Sequence, residues 1–244
     1  MLKRHPDMTT RRLAPSVLED LNQKMVFVAG PRQCGKTTLA LKLLEQRNGE
    51  YYNWDIAKHR KAIQHVELKP SAKLWIFDEL HKFRKWRNWL KGVYDEHHAL
   101  HQILVTGSAQ LDLYSRGGDS LQGRYFLHRL HPFTFSELAG TPFLDWQKAP
   151  ELPQELSGGI GKTLLQDLMA LGAFPEPFLS ASAKKAARWR LQYGTRLVQE
   201  EIRSLETVQD LGRLELLFER LEATIGSPLS LNSLREDLRH VFHF

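Results

Sequence analysis

Apolar positions along this chain gather into short unbroken runs separated by helical stripes. Met25 to Ala29, Leu74 to Phe77 and Gln102 to Thr106 show no regular polar alternation, as expected of central strands buried on both faces. After the first run, Leu39, Leu41, Leu43 and Leu44 recur at helical spacing. After the second, Trp86, Trp89, Leu90, Val93 and Tyr94 form an i, i+3, i+4, i+7, i+8 stripe, read as a core-facing helix in preference to a base-stacking platform. Strand and helix patterns alternate from about residue 23 to 138, which predicts an α/β fold with a doubly wound parallel sheet. Residues 1–22, with Leu13, Val17, Leu18 and Leu21, read as a short amphipathic lead-in that packs on the domain after it. Pro142, Pro150, Pro153 and Ser157-Gly158-Gly159 mark residues 139–162 as a linker. Helical sequence fills 163–225, and 226–244 holds one more helix pattern with Ser230 or Asn232 as its N-cap.

At the end of the first run the chain changes character. Gly30-Pro31-Arg32-Gln33-Cys34-Gly35-Lys36-Thr37 fills every position of the Walker A pattern G-x-x-x-x-G-K-S/T between a predicted strand and a predicted helix. In that context the pattern is a phosphate-binding loop. Gly30 and Gly35 let successive N–H groups converge on phosphate oxygens. The helix opening at Lys36 adds its unpaired N–H groups and positive dipole end. The predicted nucleotide cradle therefore runs from Gly30 to Thr38. Lys36 reaches the β- and γ-phosphates, and the Thr37 hydroxyl completes the coordination of Mg²⁺. The bland alternative is an ordinary strand-to-helix turn.

The second run ends in Asp78-Glu79, where a Walker B strand carries its acids. Ligands bind open α/β sheets at the carboxyl ends of the strands. Asp78 suits Mg²⁺, a hard cation that seeks carboxylate oxygen, and Glu79 can orient and deprotonate an attacking water. Alternatively both acids cap a helix starting at Leu80. The third run ends in Thr106-Gly107-Ser108, placing a hydroxyl beside the γ-phosphate unless Thr106 and Ser108 are only turn residues. Tyr114 to Arg124 is polar and glycine-rich, a mobile loop closing on the strand-like Tyr125-Phe126-Leu127. Arg124 can serve as an arginine finger, in cis or from a neighbouring subunit, or be a solvated surface arginine.

Together GPRQCGKTT, FDELHK, ILVTGSAQLDL, the pair Gly123-Arg124 and HPFTFSEL resemble a group of prokaryotic AAA-type P-loop ATPases related to the STAND nucleotide switches. Leu171 to Phe178 and Arg188 to Tyr193 are similar to the start of the domain of unknown function that comes after the ATPase in that group. The resemblance spans about residues 13–238. It implies a five-stranded ATPase core whose acidic strand is separated from the loop strand by another, then a helical domain and a winged helix. It assigns phosphate and Mg²⁺ roles to Lys36 and Thr37, the metal role to Asp78, the base role to Glu79 and the sensor region to Thr106 or Ser108. Pro228 to Leu238 looks like the first helix of the winged helix. The sequence ends at Phe244, short of a recognition helix, which reads as a shortened C-terminus.

Composition narrows the class without deciding it. The chain has 244 residues, 42% hydrophobic and 25% charged, ordinary globular values with room for one large or two moderate domains. No apolar stretch reaches the ~18 residues of a membrane span, and the basic start Met1-Leu2-Lys3-Arg4 lacks the apolar core of a signal peptide. A net charge of +6 is compatible with nucleic acid without requiring it. The one cysteine, Cys34, excludes an internal disulfide and suits a reducing cytoplasm. It is a small loop residue, or a thiol whose pKa the loop lowers enough for oxidation to block ATP.

Other signals are discounted. Gly159-Ile160-Gly161-Lys162-Thr163 lacks a preceding strand and reads as a loop entering a helix. His97, His98 and His101 have too few matched ligands for zinc and read as surface residues. His81 reads as a polar contact at a helix start. The leading reading is a Mg²⁺-dependent ATPase that switches between its core and C-terminal domain. Its partner is DNA or a protein bound through the C-terminal region, and a homo-oligomer is left open. A nucleotide-sensing nucleic-acid regulator with little turnover and a P-loop small-molecule kinase are the alternatives.

Overall fold

Strand parity builds the core of this molecule. In the computed structural model, which describes residues 11–108, 111, 121–140, 159–197, 217–218, 220–221, 223–228 and 230–242, five strands form one parallel sheet. They are β1 (Met25–Ala29), β2 (Gly49–Asn53), β3 (Leu74–Asp78), β4 (Gln102–Gly107) and β5 (Tyr125–Arg129), in the order β2-β3-β4-β1-β5. Every residue of β1 and β3 is buried. Side chains alternate across a strand, so each apolar run feeds both faces. Met25, Phe27, Trp75, Phe77, Ile103 and Val105 pack on one side with Ile63, Trp86, Leu90 and Val93. Val26, Val28, Leu74, Ile76 and Leu104 pack on the other with Ala14, Val17, Leu39, Ala40 and Leu43.

The helices that cover these faces agree with the sequence stripes. On the second face lie α1 (Ala14–Asp20) and α2 (Lys36–Glu45), so the lead-in helix is part of the core. On the first lie α3 (Ala57–His65) and α4 (Trp86–His97), with Trp89 and Tyr94 partly buried against the cluster, so the tryptophan stripe is core. The acidic strand β3 is separated from the loop strand β1 by β4. The residue level with Asp78 on β4 is Thr106 and on β2 is Asn53. A polar row therefore crosses three strands at the carboxyl edge of the sheet.

After β5 the chain forms α5 (Phe135–Leu138), α6 (Gly159–Leu171) and α7 (Pro175–Leu179). Gly159 to Thr163, expected as a loop entering a helix, is itself the opening of α6. Residues 1–179 form one compact unit and residues 180–244 a second. In the second, α8 (Ala183–Arg196) is capped by the Ser182 side chain, which accepts from the Lys185 N–H, and buries Ala186 and Trp189. Helix α9 (Leu231–Phe242) has Ser230 accepting from the Ser233 N–H at 3.3 Å, so Ser230 is the residue that caps it. Tyr114 to Ser120 and the prolines Pro142, Pro150 and Pro153 lie outside the described residues. No helix among the described residues is long and apolar enough to cross a membrane.

Candidate nucleotide-binding site

Two glycines shape the loop between β1 and α2 for different reasons. At Gly30 a Cβ would sit 2.2 Å from the Leu130 carbonyl oxygen, so the backbone leaving β5 leaves no room for a side chain. Gly35 has φ +98°, the left-handed region where glycine carries no steric penalty, and it opens α2 as its N-cap. Lys36 comes next, 6% exposed, its Nζ donating to the carbonyls of Gly30 at 2.9 Å and Pro31 at 2.7 Å. The ammonium thus lies across the loop. Thr37 and Thr38 are exposed.

The neighbouring strands converge on one carboxylate. Asp78 is 1% exposed. Its Oδ2 accepts from the Thr37 hydroxyl at 2.8 Å, the Tyr51 hydroxyl at 2.6 Å and Asn53 Nδ2 at 3.5 Å, and its Oδ1 from the Thr106 hydroxyl. A buried carboxylate is tolerated when its lone pairs are taken up in this way. Burial, then the bond to Asp78, pushes the Tyr51 phenol well above its ordinary range, so Tyr51 stays a donor. The Thr37 hydroxyl, donating its proton to Asp78, keeps lone pairs for a hard cation. Carboxylate and hydroxyl oxygens 2.8 Å apart at a phosphate loop fit Mg²⁺. Among the described residues no group of three or more His, Cys, Asp or Glu side chains is placed to hold a metal ion.

Glu79 departs from β3 at φ +58°, and its N–H donates to the Thr106 carbonyl at 3.0 Å. The helix expected at Leu80 is a short 3₁₀ turn, Leu80–Lys82, with no side-chain cap from Glu79. Instead the Glu79 carboxylate meets Lys82 at 3.2 Å and His81 at 3.8 Å. Burial opposes the charge on Lys82, but Asp55 and Glu79 outweigh it and raise its pKa. His81 Nε2 lies 3.4 Å from the Ser108 hydroxyl, so this histidine touches both the candidate base and the candidate sensor. A Cβ at Gly107 would come within 2.7 Å of His81 Nδ1, which makes that glycine a packing requirement.

Burial lowers the His81 pKa below its ordinary 6.5, against the pull of Glu79. The folded chain therefore binds fewer protons at this site than the unfolded chain does below about pH 6.5. Stability present above that pH is lost as the pH falls toward the lowered value. The urea midpoint should drop between pH 7.5 and pH 5.5 by more in the native protein than in His81→Gln, and an equal drop in both would place the acid sensitivity elsewhere.

Arg11 is a residue of the loop's framework that sequence reasoning missed. It is 5% exposed and donates to the Cys34 carbonyl at 2.6 Å and the His131 carbonyl at 2.6 Å. It also pairs in bidentate fashion with Glu137 at 2.8 and 3.1 Å. In a planar trans peptide the C=O and the next residue's N–H point in opposite directions. By gripping the Cys34 carbonyl, Arg11 turns the Gly35 N–H the other way. No periodicity marks a single arginine in a polar lead-in. Tyr51 carried a fainter signal, since residues 51 and 53 share one face of β2 and Asn53 is level with Asp78.

The remaining candidates fall elsewhere. Arg124 directly precedes β5, and its carbonyl accepts from the Met25 N–H at the start of β1. Because β1 and β5 are parallel and in register, Arg124 is six residues of strand, roughly 20 Å, from the level of Gly30. Its guanidinium pairs with Asp95 of α4 at 2.7 Å, so a role in cis at its own loop does not fit. Cys34 is fully buried, and burial raises its pKa in spite of Lys36 and Arg11. The thiol is a packing group, which removes the oxidation switch. His101 stacks on Trp75 at 3.9 Å and His97 meets the same ring edge-on at 5.2 Å, which explains that cluster without a metal.

Residues 22–139 match the family model described as an AAA domain. That segment holds the phosphate-type loop and all five strands of the sheet. Residues 162–241 match a domain of unknown function, DUF8612. No curated protein matches the chain. Among solved structures, the chain resembles the Walker-type ATPase PABY2304 of Pyrococcus abyssi, with a TM-score of 0.50 at 14% identity over 94% of this chain and 91% of that one. The S. cerevisiae Hsp104–ADP complex reaches 0.45 at 14% identity over 93% and 38%. Thermotoga maritima RuvB reaches 0.43 at 16% identity over 93% and 80%. At 14% identity the likeness to PABY2304 speaks for the fold alone.

Proposed function

We propose that this chain binds Mg²⁺–ATP and hydrolyses it, with turnover switching the arrangement of the ATPase domain, residues 23–138, and the helical domain, residues 163–225. The observation that carries the reading is the Thr37–Asp78 pair beside the ammonium of Lys36. A hydroxyl of the loop helix bonded to a carboxylate at the tip of β3 supports a cation site next to a phosphate site. Mg²⁺ arriving with the triphosphate would neutralise charge on the β- and γ-oxygens. The chain's own groups do the rest. Lys36 leaves the loop carbonyls for phosphate oxygen, the loop N–H groups and the α2 terminus hold the remaining charge, and Glu79 takes a proton from water. Thr106 fixes Asp78, and Ser108 with His81 sits beside the base. Arg124 fits a finger only when it comes from a neighbouring copy.

Lys36→Ala removes a charged phosphate partner worth about 1.5–3 kcal/mol, so ATP affinity should fall roughly 10- to 100-fold by equilibrium dialysis. Unchanged affinity would remove the loop from the mechanism. A second reading, a nucleotide sensor with little turnover, has one observation in its favour. Glu79 is engaged by Lys82, and a base held in an ion pair turns over slowly until that pair is opened.

A further inference from the structure

The positive charge of this chain is not evenly spread. Residues 54–91 carry ten Lys or Arg against four Asp or Glu, as large an excess as the +6 of the whole protein. Within that segment the charge is set against the local rules of helix design. Helix α4 begins after Lys85, with no side-chain cap and no acidic residue in its first turn. Arg84, Lys85 and Arg87 instead crowd the end whose dipole is already positive, where an anion is favoured and a cation is not. Such a conflict between local preference and fold is characteristic of a functional site.

The conflict surrounds a cavity. Its volume is about 450 Å³, and His81, Arg84, Lys85, Trp86, Arg87 and Asn88 line it. Three of the six are cations and none is a carboxylate. His81, 5% exposed at its side chain, lines the inner wall, with its buried Nδ1 packed toward Gly107. The turn that precedes the helix is fastened in place. Phe83 stacks on Trp54 at 4.5 Å and 14°, Lys82 bonds Asp55 at 2.5 Å, and Arg60 lies over the Trp54 ring at 5.7 Å. That fastening holds a fourth cation, Arg60, over the Trp54 ring against which Phe83 stacks. It also occupies the indole face that a base would need for stacking, which leaves phosphate as the group this surface can recognise.

We propose that the cavity at the start of α4, with Arg84, Lys85, Arg87 and the adjacent Arg60, binds the phosphodiester backbone of a nucleic acid without reading its sequence. The surface belongs to the segment that matches the AAA domain. It lies next to Glu79, because Lys82 and His81, which touch that carboxylate, flank the turn leading into the cavity. A bound strand therefore acts on the group that the proposed hydrolysis needs, though binding itself does not depend on hydrolysis.

The test is fluorescence anisotropy with a fluorescein-labelled single-stranded oligonucleotide of about thirty bases. Four phosphate contacts predict a loss of affinity of about fiftyfold between 50 and 200 mM salt. The triple variant Arg84→Gln, Lys85→Gln, Arg87→Gln should bind at least roughly tenfold more weakly at low salt and lower the salt slope by about two. Its melting temperature and ATP affinity, measured alongside, should match the parent. Lys36→Ala should bind the oligonucleotide as the parent does. No binding at low salt, or binding in the triple variant with an unchanged slope, overturns the proposal. So does binding lost in Lys36→Ala and kept in the triple variant, because the oligonucleotide would then sit in the phosphate loop. ATP affinity is a separate readout, so the ATPase reading stands or falls independently.

Discussion

Glu79→Gln should lower Mg²⁺-dependent ATP hydrolysis by about 10²- to 10⁴-fold, the usual contribution of a positioned base, and leave ATP bound. The amide keeps the size and hydrogen-bonding reach of the carboxylate but cannot accept a proton from water. In the proposed site bound nucleotide is held by the loop, by Lys36 and by the Thr37–Asp78 pair, none of which the substitution touches. Phosphate release and retained nucleotide measured on the same sample decide the matter. Turnover and binding lost together would instead make Glu79 a structural partner of Lys82 and His81. Binding without turnover in both proteins would favour the sensor reading.

Arg11→Ala should be the most damaging substitution outside the loop. It strips a bidentate partner from Glu137 and leaves the carbonyls of Cys34 and His131 without their donor. Breaking a buried ion pair from one side costs about 3–5 kcal/mol, which urea unfolding can read. A purely structural arginine would lower stability alone. If Arg11 aims the Gly35 N–H, the milder Arg11→Lys, which keeps a charge for Glu137 but cannot serve three acceptors with one planar fork, should weaken ATP binding more than it lowers the urea midpoint. Equal ATP affinity in Arg11→Lys and the parent would confine Arg11 to stability.

Much of the fold was legible because its strands are buried on both faces. Runs such as Met25 to Ala29 and Leu74 to Phe77 carry a signal that polar alternation would have diluted, and the loop pattern then fixed which strand leads into which helix. The meeting of Thr37 with Asp78 was legible because fixed spacing in a short loop and a strand tip put them at one edge. What was hidden depends on lateral register. Tyr51 reaches Asp78 only because β2 lies beside β3 in register, and nothing local announces that pairing. Arg11 was hidden for a further reason, as its partners Cys34, His131 and Glu137 are distant in sequence. The position of Arg124 turned on sheet order. Its glycine-rich neighbourhood suggested a mobile finger, yet the parallel pairing of β1 with β5 puts it at the far edge from its own loop.

The left-handed backbone at position 79 sets stability and chemistry against each other. A residue with a Cβ is strained there by roughly 1 kcal/mol or more, and glycine is not. Drift or laboratory selection that rewards only a higher melting temperature would therefore draw this position toward glycine and away from the carboxylate. Thermostable variants of this fold that arise without a screen for turnover are where an inert phosphate loop, intact in every motif residue, should be sought.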